Sequence, residues 1–293
     1  MTPKLKLDLT LLLGSPALSN NTPTEESSMK ILVPVKQVAV LDEDFELRDD
    51  GKDVDVDFLD YELNEWDDFA WEAALQLQEQ HGDVIEIVPM TVGPEEASDS
   101  LLKCLGKGGE RAIRVWHESL QDSDPAVIAR VIAKVAQREQ ADMVFAGTLA
   151  SDHGYSQTGV SVAAELNWAK AAVVSKVNIS PNASCIQVNR ELEGGLEESI
   201  EVQCPAVLTI QLGINEPRYA SLRGIKQAKA KPIEVLSHTD LGLQDSDVGI
   251  AGSRSRVRRM VMPAKGQAEL IEGSVVEQAA RLADIVKQLR GDV

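Results

Sequence analysis

Histidine, cysteine and basic residues are all scarce in this chain of 293 residues, and each scarcity excludes something. The three cysteines, Cys104, Cys185 and Cys204, are widely spaced and form no C-x-x-C pair, so neither a disulfide framework nor a zinc-thiolate site is indicated, and a reducing cytoplasm fits best. The four histidines, His81, His117, His153 and His238, are equally dispersed and read as surface or loop positions, so no metal ligands are assigned. Lys and Arg number 29 against 47 Asp and Glu, a formal net charge of −18 that repels nucleic acid and anionic membrane alike. No apolar run approaches the roughly 20 residues needed to cross a bilayer. The nearest approach to an export signal, Leu9 to Leu13 after Lys4 and Lys6, is too short and runs into a Ser, Asn, Thr and Pro-rich segment. Residues 1–28 are therefore expected to be a disordered extension or to precede the true start, with Met29 opening the first convincing structure.

What is present is an ordinary apolar fraction and a chain long enough for one large domain or two small ones. Lys30 to Val38 is a β-branched run that reads as a central parallel strand. From Asp42 to Asp68 there are 14 acidic residues, too polar for core, and the stretch reads as an irregular excursion or a hairpin turning at Asp50-Gly51. A helix is predicted after Asn64, a plausible cap, with Phe69, Ala73, Leu75 and Leu77 on one side and an end at His81-Gly82. Strands are predicted over Val84 to Val92, Ala112 to Trp116 and Met143 to Gly147. Helices fall between them at Glu95 to Lys107 and after Asp124-Pro125, where Pro suits the first helical position. Such alternation implies an open, mainly parallel α/β sheet flanked by helices, with ligands at the carboxyl ends of its strands. Pro34, Asn64, Val92 and the Gly147 loop all lie near such ends. Ala171 to Ile179, Cys185 to Leu192, Glu198 to Val202 and Ala206 to Leu212 read as an antiparallel extension of the sheet, with Gly194-Gly195 at a hairpin turn.

The stretch from Met143 to Trp168 carries the clearest chemistry. A buried-strand run ends at Gly147, small and hydroxyl residues follow with glycines at 154 and 159, and Ser156, Gln157 and Thr158 stand where a helix begins. The free amides and positive dipole end of a helix start hold an anion without a dedicated cation. An ordinary strand-to-helix turn with a Ser cap has the same spacing. No Lys-Ser/Thr pair follows the last glycine, which excludes a nucleotide-hydrolysing phosphate loop and favours binding over phosphoryl transfer. Asn215 to Pro232 is a basic stretch in an acidic chain and reads as a solvated loop and helix. Ile233 to Val293 is extended and polar until an amphipathic helix from Ser274 to Arg290, and reads as an arm that wraps a partner subunit.

VPVKQV, LNEWDDFAWEAAL, TVGP, GTLASDHGYSQTG, RELEGGLEE and NEPRYASLRGIKQAKAKPIE occur in that order between Met29 and Val293, and together they resemble the β subunit of electron transfer flavoproteins. NEWDD, RVW and SRVRRMVM resemble in particular the methylotroph type that accepts electrons from trimethylamine dehydrogenase and related methylated-amine dehydrogenases. The resemblance implies an adenine-nucleotide-binding, Rossmann-like domain over residues 29–232 and a C-terminal arm, 233–293, around an α subunit. It implies one FAD, held mostly by α, and one structural AMP in this chain, touched by Pro34, Asn64, Glu65, Trp66, Asp67, Val92 and the loop from Gly147 to Thr158, with Asp152, Ser156, Gln157 and Thr158 foremost. His153, Gly154 and Tyr155 depart from the common loop, which carries an acidic run and Cys-Asn. Leu41 and Trp66 match positions near the flavin. Arg218, Tyr219, Ala220, Ser221, Leu222 and Arg223 match the loop that docks on the donor dehydrogenase, with Leu222 as its apolar anchor.

The function so implied is that of an electron carrier subunit with no catalytic residues, passing single electrons from a dehydrogenase of the trimethylamine or dimethylglycine type to a membrane quinone reductase. Two other readings stay open. One is a bifurcating or Fix-type β subunit with a second FAD in place of AMP, to which SLRGI is similar; the other is an adenine-nucleotide hydrolase or sensor on the same core.

Overall fold

The computed structural model describes residues 29–41, 45–179, 184–262 and 268–291. The expected N-terminal extension lies outside them, as do residues 42–44 of the acidic stretch. Two compact units are present, one within Met1–Phe45 and Val56–Arg256, the other within Glu46–Asp55 and Val257–Val293.

The first unit is built on strands β1 (Met29–Pro34), β4 (Ile85–Val92), β5 (Ala112–Val115), β6 (Met143–Gly147), β7 (Ala169–Asn178), β8 (Cys185–Leu192), β9 (Leu196–Gln203), β10 (Ala206–Ile210) and β11 (Ile233–Leu236). They form one sheet in the order β11-β5-β4-β1-β6-β10-β7-β8-β9, with parallel pairing from β11 through β7 and antiparallel pairing at β7-β8-β9. Alternate residues of the inner strands enter opposite cores. Ile31, Val33, Met143, Phe145 and Leu208 pack with helices α1 (Glu65–His81) and α2 (Ser98–Lys107). Leu32, Val88, Val144 and Val207 pack with α3 (Pro125–Glu139) and α4 (Thr158–Leu166). Helices on both faces leave no solvent side, which is why these strands read as continuous apolar runs.

Helix boundaries follow local chemistry. The Asp124 carboxylate accepts from the amides of Ala126 and Val127 at the start of α3, with Pro125 at the first helical position. Gly82, at φ +67°, ends α1 where the sequence predicted.

Four expectations change. The run from Lys30 to Val38 is two strands: β1 leaves the sheet after Val35, and Gln37–Leu41 (β2) pairs antiparallel with Leu59–Leu63 (β3) in a separate two-stranded sheet. The break arises because the Lys36 amide and carbonyl turn to Asp67 and Asn64. Second, β10 is not part of an antiparallel extension but an inner parallel strand between β6 and β7, and all five of its residues are buried. Third, β11, expected in the arm, is an edge strand of the main sheet, and the compact unit continues to Arg256 through a single-turn helix, α6 (Gly249–Gly252). Fourth, His238 is 1% exposed, a core position and not a surface one. The basic stretch contains one short helix, α5 (Leu222–Ala228).

In the second unit, Leu47 and Val54 form a bridge around a turn at Asp50-Gly51, and the Gly51 carbonyl accepts from the Met260 amide. Helix α7 (Val275–Arg290) begins in a capping box between Ser274 and Glu277 and buries none of its residues within this chain.

Candidate functional site

The chain lays down β1, moves outward to β4 and β5, then returns to β6 on the other flank of β1. The carboxyl ends of β1 and β6 therefore part at a topological switch point, the place where open α/β sheets take ligands. Asp67, in the first turn of α1, closes this point from below: its Oδ2 accepts from the Lys36 amide at 2.8 Å and its Oδ1 from the Gly147 amide at 3.0 Å. Burial pushes its carboxyl up to about 7, against the lowering effect of the two backbone amides, the Asn64 side chain and the Lys36 charge. Gly147 is needed for this approach. A Cβ there would meet Trp66 Cβ at 2.7 Å and the Asp67 amide at 2.9 Å.

Asn64 stands at the head of α1, but its side chain does not cap the helix. Its Nδ2 instead donates to the Leu149 carbonyl at 2.8 Å and its Oδ1 accepts from the Ser151 amide at 3.2 Å, tying the loop after β6 to the start of α1. Lys36 reaches the same loop and pairs with Asp152 at 2.7 Å. Burial raises the Asp152 carboxyl, yet the hydrogen bonds from His153 and Lys36 outweigh it and bring it down to about 2.

The loop from Ser151 to Gln157 is exposed, with Ser156 at φ +50°, and leads directly into α4. Gln157 makes no side-chain cap. The first-turn amides of Thr158, Gly159 and Val160 have no carbonyl one turn back and point toward the loop. Gly159 lets α4 sit tight on the sheet, since a Cβ would lie 2.6 Å from Thr209 Cγ2. Uncapped amides and the positive end of a nine-residue helix form a cradle that fits a phosphate. Pro34 and Val92 end the neighbouring strands β1 and β4, both half-buried, while Glu65 is exposed on the first turn of α1. The residues expected around a nucleotide are thus brought to one end of the sheet. Asp67 is held by the Lys36 and Gly147 amides and by the Asn64 side chain, so its part there is to hold the crevice together.

A second feature lies across α1 and α2. Arg218 forks onto Glu72, with Nε at 2.9 Å from Oε2 and Nη2 at 2.9 Å from Oε1, and reaches Glu79 with Nη2 at 3.0 Å. Ser221 caps α5 through the Gly224 amide at 3.0 Å, and Gly224 packs against the Gly106 carbonyl, where no Cβ would fit. Between these clamps Tyr219 is 99% and Leu222 89% exposed. An apolar side chain on a rigid mount with no covering partner is how a docking anchor is built. Ala220 is half-buried, Arg223 exposed, and Leu41 exposed on the β2 edge. Trp66 is half-buried and donates to Gln211 Oε1 at 3.3 Å.

The model of the electron transfer flavoprotein domain matches residues 56–241, more than half of the chain. The electron transfer flavoprotein subunit beta of Methylophilus methylotrophus is 54% identical over 263 residues, covering 90% of this chain and all of that protein. The chain belongs to the electron transfer flavoprotein β-subunit family. The subunit beta of Bradyrhizobium diazoefficiens is 34% identical over 254 residues, 87% of this chain and 97% of its own length, and that of Mus musculus 34% over 219 residues, 74% and 84%. An electron transfer flavoprotein β subunit is an electron carrier subunit and not an enzyme, and its name implies an α subunit as partner. Flavin and nucleotide belong to the family's work.

Several residues that shape this β subunit escaped the sequence reading. Lys36 lies within VPVKQV, where nothing in the local pattern marks its role. Thr209 accepts from the Val173 amide at 3.0 Å and supports Thr148, and Glu72 anchors Arg218; each works through long-range contacts that leave no local pattern. No helix among the described residues is long and apolar enough to cross a membrane.

Proposed function

We propose that this β subunit, together with an α subunit that holds most of the FAD, carries single electrons in the cytoplasm from a dehydrogenase of methylated amines, of the trimethylamine or dimethylglycine type, to a quinone-linked reductase. The bound flavin supplies the redox chemistry; this chain supplies orientation, a structural AMP and the surface that finds the donor. The observation that carries the reading is Leu222, exposed and apolar between the clamped Arg218 and the capped start of α5. The AMP phosphate rests at the uncapped start of α4 with Ser156, Gln157 and Thr158 around it, and the ligand stabilises the fold by mass action. The arm, ending in a helix with no buried residue, covers the α subunit.

The test is Leu222→Ala in the reconstituted heterodimer. Losing a pocket-filling leucine costs about 2 kcal/mol of encounter energy, roughly thirtyfold in the donor concentration needed for half-maximal transfer. Unfolding stability should not change, since the side chain is exposed in the free protein. Unchanged transfer from every candidate donor would remove Leu222 from the interface. Nucleotide extraction should release one FAD and one AMP per heterodimer; two FAD would replace this reading with the bifurcating one.

A further inference from the structure

We propose that His117, His238 and Asp245 form a binding site for one divalent transition-metal ion of the zinc class, separate from the nucleotide crevice. The parallel register explains how distant residues meet. β5 and β11 pair with Val115 opposite Leu236, and the Trp116 amide continues the ladder to the Leu236 carbonyl. Two residues on from that register lie His117 and His238, whose rings come to 5.0 Å between centroids. The chain after β11 then folds back, with the Leu243 amide on the His238 carbonyl, and delivers Asp245 to the same place. His238 Nε2 lies 2.9 Å from Asp245 Oδ1, and one ligand atom from each of the three residues falls within 4.8 Å of the others.

Two imidazoles and a carboxylate are the donor set of open zinc and related sites, with the remaining positions left to water. Donor atoms of a tetrahedral zinc ion sit about 3.4 Å apart, so small side-chain rotations close the set, and they fall to the exposed Asp245 and to the exposed His117, whose Nδ1 accepts from the Ser119 amide at 3.2 Å. The carboxylate is already oriented by Ser119 Oγ, which donates to Asp245 Oδ1 at 2.9 Å. His238 is the buried member, and its Nδ1 has no hydrogen-bond partner. A ligating histidine is normally fixed through its other nitrogen, and lack of that contact costs about ten- to a hundredfold in affinity. The site is therefore a micromolar one, responsive to metal level, and not a permanently loaded structural centre. Binding would fasten the edge strand β11 and its neighbour β5 to the segment that leads toward Arg256.

The inference is independent of the electron-transfer reading. The full-length, tag-free protein is titrated with Zn2+ by calorimetry, beside His117→Gln and Asp245→Asn; both side chains are exposed, so folding is preserved, and circular dichroism verifies it. One equivalent bound at micromolar affinity, weakened at least tenfold by each substitution, is the expected result. Absence of binding below about millimolar Zn2+, or affinity unchanged in both variants, would show that the three residues are only a hydrogen-bonded cluster.

Discussion

Asp67 offers the sharpest test of how the crevice is held. Its carboxylate is nearly inaccessible, and among the described residues the charge is compensated by two backbone amides, the neighbouring Asn64 and one lysine. Burial wins, and the folded-state value is about 7 against 3.8 for the ordinary carboxyl. The sign follows from linkage: a raised carboxyl favours folding fully below the unfolded value and loses that contribution as pH rises through the folded one. Each pH unit between the two values is worth about 1.4 kcal/mol, so from about pH 5.5 to about pH 8.5 this single group removes about 2 kcal/mol of stability. Asp67→Asn cannot ionise. It keeps one acceptor oxygen and turns an amide donor toward the second backbone N–H, which lowers stability by about 1–3 kcal/mol at acidic pH. The penalty should shrink or vanish above about pH 8, where the wild-type protein bears a buried charge. Urea denaturation of both proteins at several pH values measures it, and the difference between them cancels effects of the global negative charge. A difference that does not vary with pH would refute the burial argument. One that grows with pH would mean that the backbone amides dominate instead.

Three further outcomes are expected. Arg218→Met leaves Glu72, whose side chain is 3% exposed, without its guanidinium fork and should cost about 2–3 kcal/mol in denaturant unfolding, with faster proteolysis of the loop before α5. Gly147→Ala should cost about 1–3 kcal/mol through overpacking against Trp66 and should also weaken the nucleotide binding proposed above, detectable by extraction. Asp124→Ala removes the cap of α3 and the acceptor for the Arg254 and Ser255 amides, about 2–3 kcal/mol together, with cleavage near Arg254 as a second readout. Burial opposes ionisation of Asp124, but its backbone hydrogen bonds hold the carboxyl below its ordinary value, so this contribution is present above the unfolded value and fades in acid.

The order of strands and helices was legible along the chain from Ile85 to Leu166 because each element carries its own period and its own ends: the Asp124-Pro125 start, the Gly82 stop, the apolar β6 run into Gly147. The hairpin at Gly194-Gly195 and the last helix from Ser274 to Arg290 were legible for the same reason. Family membership was carried by motif order, and so was the docking role proposed for Leu222, for which a lone exposed leucine has no signature. Local sequence determined which segments pair or coil, because propensity, capping and burial period act within a few residues. Tertiary structure alone decided where β1 stops, that β10 lies inside the parallel sheet, and that β11 joins its far edge. It also decided that Asp67 spends its charge on Lys36 and Gly147, and that His117 meets His238. Those outcomes depend on hydrogen-bond partners and sheet register supplied by residues far away in the chain, whose geometry exists only once the sheet has formed.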